Sequence, residues 1–354
     1  MKRFTFLIAF FFGLLNLTAQ NECERLIAAV ESGDHQKVLQ IVQDVNPNCS
    51  TKGVKEPRSP LGMACFKGDL KMVKLLVTAN ANPEFIGRND ASALMIASAN
   101  NHLDIVEYLL DQNAKINRKI KGDGTALIAA SRANACDVVD YLLKNGADPN
   151  KGVFNDATPL ICAVKSNNAT TVRLLLEAGA NPNLSMESDG SPIIWAGRNG
   201  NEEIFKLLVK AGADVNRSQE GDGTALIQAV RANNLMSVKQ LVMLGADVDL
   251  AVKRDGNPLI EASKGGYLEI VEYLVENGAD VDFEIRGDET PLINAARFGH
   301  LNVVKYLVAK GADVNKSSRD GYYLNSEIRT PLNMARKNGH NAVVAFLMAN
   351  GAEK

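Results

Sequence analysis

Apolar residues return along this chain in a two-helix cadence. In residues 287–315, GDETPLINAARFGHLNVVKYLVAKGADVN, a short apolar run (PLINAARF) precedes a Gly-His break, a second run (LNVVKYLVAK) and a polar return segment (GADVN). Shifted by 33 residues the pattern repeats, with Leu61, Leu94, Leu127, Leu160, Ile193, Leu226, Leu259 and Leu292 evenly spaced and Leu332 following after 40. A fixed period of this size denotes stacked units, each unable to bury its apolar face alone. Each unit opens on a turn such as GDGTAL or NDATPL, whose Thr or Ser can cap the first helix. Pro60, Pro159, Pro192, Pro258, Pro291 and Pro331 then fall at the first helical position, where a missing N–H is harmless. The first helix is expected to stop at Gly68, Asn101, Asn134, Asn167, Gly200, Asn233, Gly266, Gly299 and Gly339. The second is expected to stop at Asn80, Asn113, Gly146, Gly179, Gly212, Gly245, Gly278, Gly311 and Gly351. Only Gly or Asn occurs at either stop, as left-handed backbone requires.

The phrases TPLINAA, GH, VVKYLV and KGADVN resemble the ankyrin repeat, and the resemblance runs from about residue 22 to the C-terminus. It implies an all-α ankyrin-repeat solenoid of about ten helix-turn-helix repeats with short β-type fingers. The expected organisation is a signal peptide over 1–19, a degenerate N-terminal capping repeat over 20–56 and eight regular repeats over 57–315. A lengthened finger over 316–329 and a C-terminal capping repeat over 330–354 complete it. The finger carries seven extra residues, and Asp320-Gly321 beside Tyr322, Tyr323 and Leu324 predicts a hairpin there. Arg336, Lys337 and Lys354 keep the last repeat polar outside.

Composition narrows the function. The 354 residues carry 39 basic and 41 acidic side chains, which argues against non-specific nucleic-acid binding. Lys2 and Arg3 precede an apolar run from Phe4 to Leu17, the pattern of a secretory leader, with cleavage expected after Ala19. The run is short of the roughly 20 residues a bilayer span needs, so no stable membrane insertion is expected after cleavage. A periplasmic or secreted protein meets oxidising conditions, and Cys23 and Cys49, which flank the first repeat, are the candidate disulfide. Cys65 and Cys136 read as small core residues.

Catalytic chemistry finds little support. His102, His300 and His340 occupy the same turn of different repeats and cannot converge; His35 belongs to a similar turn. The sequence offers no metal-spaced Cys/His cluster and no phosphate loop, so neither metal nor cofactor is expected. The recurrent Asp90, Asp123, Asp156, Asp189, Asp222, Asp255 and Asp288 read as turn residues that bend back onto nearby N–H groups.

A basic row holds more interest. Two residues before the first-helix stop stand Arg132, Lys165, Arg198, Arg231, Lys264, Arg297 and Lys337. The ankyrin resemblance implies that this position lies on the concave, recognition surface. The row is then either a positive stripe for a partner or a solvated face paired with finger carboxylates. Three residues earlier stand Met63, Ile96, Ala129, Cys162, Trp195, Gln228, Glu261, Asn294 and Met334, on the same helix face. The expected function is a non-enzymatic scaffold that captures another protein with an acidic surface through Trp195, Arg198, Arg231, Lys264, Arg297 and Phe298. Tyr322 and Tyr323 on the long finger are secondary candidates. Reversing Arg231 and Lys264 is expected to weaken capture without lowering thermal stability. A glycan or cell-wall binder is the alternative, and a hydrolase the least supported class.

Overall fold

Capping chemistry sets where each helix begins. Ser59, Ser92, Thr125, Thr158, Thr224, Thr290 and Thr330 each accept, through the side-chain oxygen, a backbone N–H three residues on. Asn257 does the same with its carbonyl oxygen. Each such cap satisfies one orphan N–H and is worth about 1 kcal/mol. All eighteen Gly and Asn residues expected to end helices have positive φ, from 51° at Asn233 to 96° at Gly278 and Gly311.

The computed structural model describes residues 21–51, 59–87, 90–152, 157–185, 190–253, 255–285, 289–319 and 328–353. The expected leader, Tyr322, Tyr323 and Lys354 lie outside them, as do Asp156, Asp189 and Asp288. The chain divides into two compact units at Asn181 and Pro182.

The first unit opens with a helix over 21–31, followed by His35–Ile41. A disulfide joins Cys23 to Cys49, with the Cα atoms 5.9 Å apart. Four helix pairs follow: Pro60–Lys67 with Leu70–Thr78, Ala93–Ala99 with Leu103–Asp111, Ala126–Arg132 with Cys136–Lys144, and Pro159–Lys165 with Ala169–Glu177. First helices pack on first helices and second on second, so the unit has two helical layers.

The second unit repeats this plan with Pro192–Asn199 and Glu202–Lys210, Ala225–Arg231 and Leu235–Met243, Pro258–Gly265 and Leu268–Glu276. Pro291–Phe298 with Leu301–Ala309 and Pro331–Lys337 with Asn341–Ala349 complete it. Two small antiparallel pairs mark its fingers: Ser218–Gln219 with Gly223–Thr224, and Ser318–Arg319 with Ile328–Arg329. The second pair closes the base of the lengthened finger.

The period residues Leu61, Leu94, Leu127, Leu160, Ile193, Leu226, Leu259, Leu292 and Leu332 are all buried between layers. Truncating one, such as Leu226→Ala, costs about 2–5 kcal/mol by transfer and cavity terms together.

A ladder of amides fixes the finger-side spacing within each unit. Asn117 donates from Nδ2 to Gly146 O at 2.9 Å and accepts from Asp148 N at 2.9 Å. Asn150 repeats this with Gly179 and Asn181, Asn183 with Gly212 and Asp214, and Asn216 with Gly245 and Asp247. In two consecutive repeats the rung is an aspartate: Asp249 accepts from Asp280 N, and Asp282 from Asp313 N.

Of the two cysteines expected in the core, one is there and one is not. Cys65 is fully buried, and burial pushes its thiol pKa up. Cys136 is only half-buried, because it begins a helix at the surface, and its Sγ lies 3.4 Å from Thr171 Oγ1. The outside of the last repeat is also less polar than its basic residues suggest. Arg336 and Lys337 are exposed, but Ala342, Ala345 and Met348 are exposed beside them.

Candidate functional site

The basic row occupies the last turn of each first helix, and in the second unit its side chains reach carboxylates. Arg198 Nε donates to Gln228 Oε1 at 3.1 Å, its Nη2 lies 3.8 Å from Asp222 Oδ1, and its guanidinium covers the Trp195 ring at 4.5 Å. One repeat on, Arg231 Nε donates to Glu261 Oε2 at 2.8 Å. Its Nη1 and Nη2 reach Asp255 Oδ1 at 3.2 Å, and Nη2 also reaches the Asp255 main-chain oxygen at 3.1 Å. Lys264 Nζ lies 3.4 Å from the other oxygen of Glu261. Arg297 and Arg329 both donate to Glu289 Oε1.

The two signs of charge occupy different depths. The Asp255, Glu261 and Glu289 side chains are 5%, 12% and 2% exposed, against 31%, 49% and 26% for the paired Arg231, Lys264 and Arg297; at Arg198 the difference is smaller, 45% against 32% for Asp222. Solvent therefore meets more of each cation than of the carboxylate paired with it. Burial works against the Arg231 charge, but Glu261 and Asp255 outweigh it and hold its pKa above the usual value. Burial raises Glu289 above the usual carboxylate range, and Arg297 and Arg329 only partly offset it.

This pairing changes what Arg231 is. Reversing its charge would set a third carboxylate against Asp255 and Glu261, so the expectation that Arg231→Glu spares stability does not hold. The aspartate row also differs in detail. Asp90 does bend back, accepting from Ala91 N at 3.1 Å. Asp222 and Asp255 instead face arginines of the preceding repeat, and Asp255 also accepts from Gly221 N at 2.7 Å.

The row three residues earlier is mostly covered. Met63, Ile96, Cys162, Gln228, Asn294 and Met334 are buried, and for Met63, Ile96, Gln228 and Asn294 the next first helix packs on their own. Trp195, Ala129 and Glu261 keep partial exposure. Phe298 is exposed, its ring stacked at 6.4 Å from His300.

The histidines are placed one per turn. His102, His300 and His340 each start a second helix, and Nε2 approaches the main-chain oxygen of Phe66, Lys264 and Arg297 at 3.4, 3.0 and 2.9 Å. His35 meets Asp69 at 3.0 Å. Among the described residues no group of His, Cys, Asp or Glu could hold a metal ion.

Glu289 and Arg329 are absent from the sequence reading, and Gln228 and Glu261 enter it only as neighbours on the helix face, not as partners of the arginines. Glu289 had a readable signal. Gly124, Gly223 and Gly256 stand at its position in other repeats, and Glu289 keeps their left-handed backbone, with φ 68°.

The family model for ankyrin repeats (3 copies) matches residues 26–120, 126–219, 193–285, 226–318 and 282–354. No curated protein matches the chain in sequence. The crystal structure of the human ASB11 ankyrin repeat domain is similar at a TM-score of 0.55 and 28% identity, covering 63% of this chain and 99% of that one. Repeat length, helix stops, layered packing and these matches agree, and the chain belongs to the ankyrin-repeat family.

Proposed function

We propose that the chain is a non-enzymatic scaffold that holds another protein, one with an acidic surface, on the concave face and fingers of its second unit. Ankyrin repeats are in general protein-interaction scaffolds, and the coarse part of this reading follows from family membership. The finer part rests on one observation: in each ion pair of the row the cation is more exposed than its carboxylate. Arginines held in such pairs have already lost rotamer freedom, so a partner carboxylate would meet them at a reduced entropic cost. Trp195 under Arg198 and the exposed Phe298 add aromatic area of the kind that dominates interface energies. The Arg198 guanidinium covers one face of the only tryptophan, which leaves less of it for sugar stacking and favours a protein over a glycan.

The exported setting is part of the same proposal. Its supports are the apolar run after Lys2 and Arg3 and the Cys23–Cys49 bond. Among the described residues no helix is long and apolar enough to cross a membrane.

The test is affinity capture from the exported fraction with the intact protein and with an Arg198→Glu, Lys264→Glu variant, followed by mass spectrometry. These two side chains are more exposed than Arg231 and Arg297. A partner of acidic surface that the variant loses supports the reading. A partner retained equally by both proteins sinks the groove assignment.

A further inference from the structure

The row position changes character at one end of the first unit. It holds Arg132 and Lys165 in the later repeats but Phe66 and Ala99 in the earlier two. Phe66 is 48% exposed, and Ala99 is exposed as well. A phenylalanine left this exposed gains only part of the free energy that full burial of its ring would give. Between these residues and the fingers lies a cavity of about 270 Å³. Phe66, Met95, Ile96, Ala99 and Ala129 supply its apolar lining, and Arg132 is its one cationic residue. Asp90 and Asp123 line the finger side. Asp90 is 2% exposed and Asp123 half-buried, whereas Arg132 is exposed, so solvent at the opening meets the arginine more than either carboxylate.

We infer that this cavity takes one large apolar side chain of a bound polypeptide, with carboxylates of the same segment reaching Arg132 and Lys165. The inference rests on the scaffold reading above and names the chemistry of the partner segment. A dry cavity of roughly 150 Å³ accepts a benzene ring, so the volume suits a Leu, Met or Phe side chain. Charge then selects the residues beyond the anchor. Neighbouring first helices lie roughly 10 Å apart, and an extended chain advances about 3.3 Å per residue, so each repeat matches about three residues. The segment therefore carries an apolar anchor with Asp or Glu about three and about six residues away, in either chain direction.

Ala99→Arg provides a fold-safe probe, because arginine stands at this position in Arg132, Arg198, Arg231 and Arg297. Random dodecapeptides displayed on phage are selected on the intact chain, and the consensus peptide is synthesised with a fluorescent label. Its affinity is measured by anisotropy for the native protein, Ala99→Arg, Phe66→Ala and the Arg198→Glu, Lys264→Glu variant. The expected consensus has the stated spacing. Ala99→Arg weakens binding by about tenfold or more, Phe66→Ala by a smaller factor, and the second-unit variant leaves it within about twofold. The inference is overturned if no peptide is enriched, if enriched peptides lack the anchor, or if Ala99→Arg binds normally. It is also overturned if the labelled peptide ignores Ala99→Arg while a dodecanoate probe depends on it, since the occupant is then a lipid chain. Peptides lost only with Arg198→Glu, Lys264→Glu overturn this inference and leave the second-unit groove standing.

Discussion

Arg231 and Asp255 grip each other across a repeat boundary, with both Nη atoms 3.2 Å from one carboxylate oxygen and Nη2 3.1 Å from the Asp255 main-chain oxygen. The same carboxyl accepts the Gly221 N–H at 2.7 Å, so one buried aspartate ties the arginine to the turn of the preceding repeat. Removing one partner of such a pair leaves an uncompensated buried charge. Arg231→Glu should lower unfolding free energy by about 3–5 kcal/mol, and Arg231→Ala by a similar or slightly smaller amount. Urea denaturation checks this, and an unchanged midpoint for both variants would mean that the pair contributes nothing to folding.

Gly197 marks a close approach between first helices that the repeat pattern does not announce. A Cβ built there would lie 2.3 Å from the main-chain oxygen of Ala225. Backbone cannot swing aside as a side-chain tip can, so Gly197→Ala should cost about 1–3 kcal/mol despite its better helix propensity. The melting temperature reads the sign directly, and a rise would show that the two helices have room to part.

Asp249 stands at a rung where Asn117, Asn150, Asn183 and Asn216 each donate to a carbonyl 29 residues on. A carboxylate has no hydrogen to offer the corresponding Gly278 oxygen. Burial raises the Asp249 pKa, as do the charges of Asp280 and Asp247, against the Asp280 N–H that lowers it. A folded pKa above the unfolded one means a contribution that is present at low pH and lost as pH rises through the folded value. Asp249→Asn should therefore stabilise by about 1 kcal/mol at neutral pH and by less below about pH 4. Thermal melts at both pH values test it; a gain that is larger in acid contradicts the assignment.

The Cys23–Cys49 bond closes a span of 26 residues around the first repeat. That repeat has stacking support on one side only among the described residues, so its local stability leans on the bond. Replacing both cysteines with serine should cost about 2–4 kcal/mol. Hydrogen exchange over residues 21–45 should rise in the variant while the amides of the second unit stay protected. Equal protection in both proteins would mean that the bond is dispensable.

Much of this molecule is readable before any coordinates. The left-handed stops were visible because only Gly and Asn tolerate that backbone cheaply, and the 33-residue period was visible because each layer must bury the same leucine. The site was legible only in part. The row of Arg198, Arg231, Lys264 and Arg297 could be picked out by spacing, but not which carboxylate each would meet. For Arg198 and Arg231 the partners come from the neighbouring repeat, 24 and 30 residues away for Arg231, and depend on how repeats are offset when stacked; Lys264 and Arg297 meet Glu261 and Glu289 of their own repeats. Gln228 and Asn294 looked like surface variation because helical spacing gives a face without saying what covers it. Glu289 was hidden for the opposite reason: a glutamate in a glycine's place is noticed only when the repeats are aligned on their turns.

The proposed capture surface makes a kinetic demand that a merely solvated charged face would not. Cations more exposed than their carboxylates should steer an acidic partner, and salt should screen that steering. The decisive experiment follows the association rate of the captured partner with the intact chain and with the Arg198→Glu, Lys264→Glu variant, across a series of salt concentrations. The native protein should show a rate that falls by roughly tenfold between about 50 and 300 mM salt, and the variant a slower, nearly flat one. Indifference of both proteins to salt, or equal rates for the two at low salt, would mean that the groove does not steer its partner.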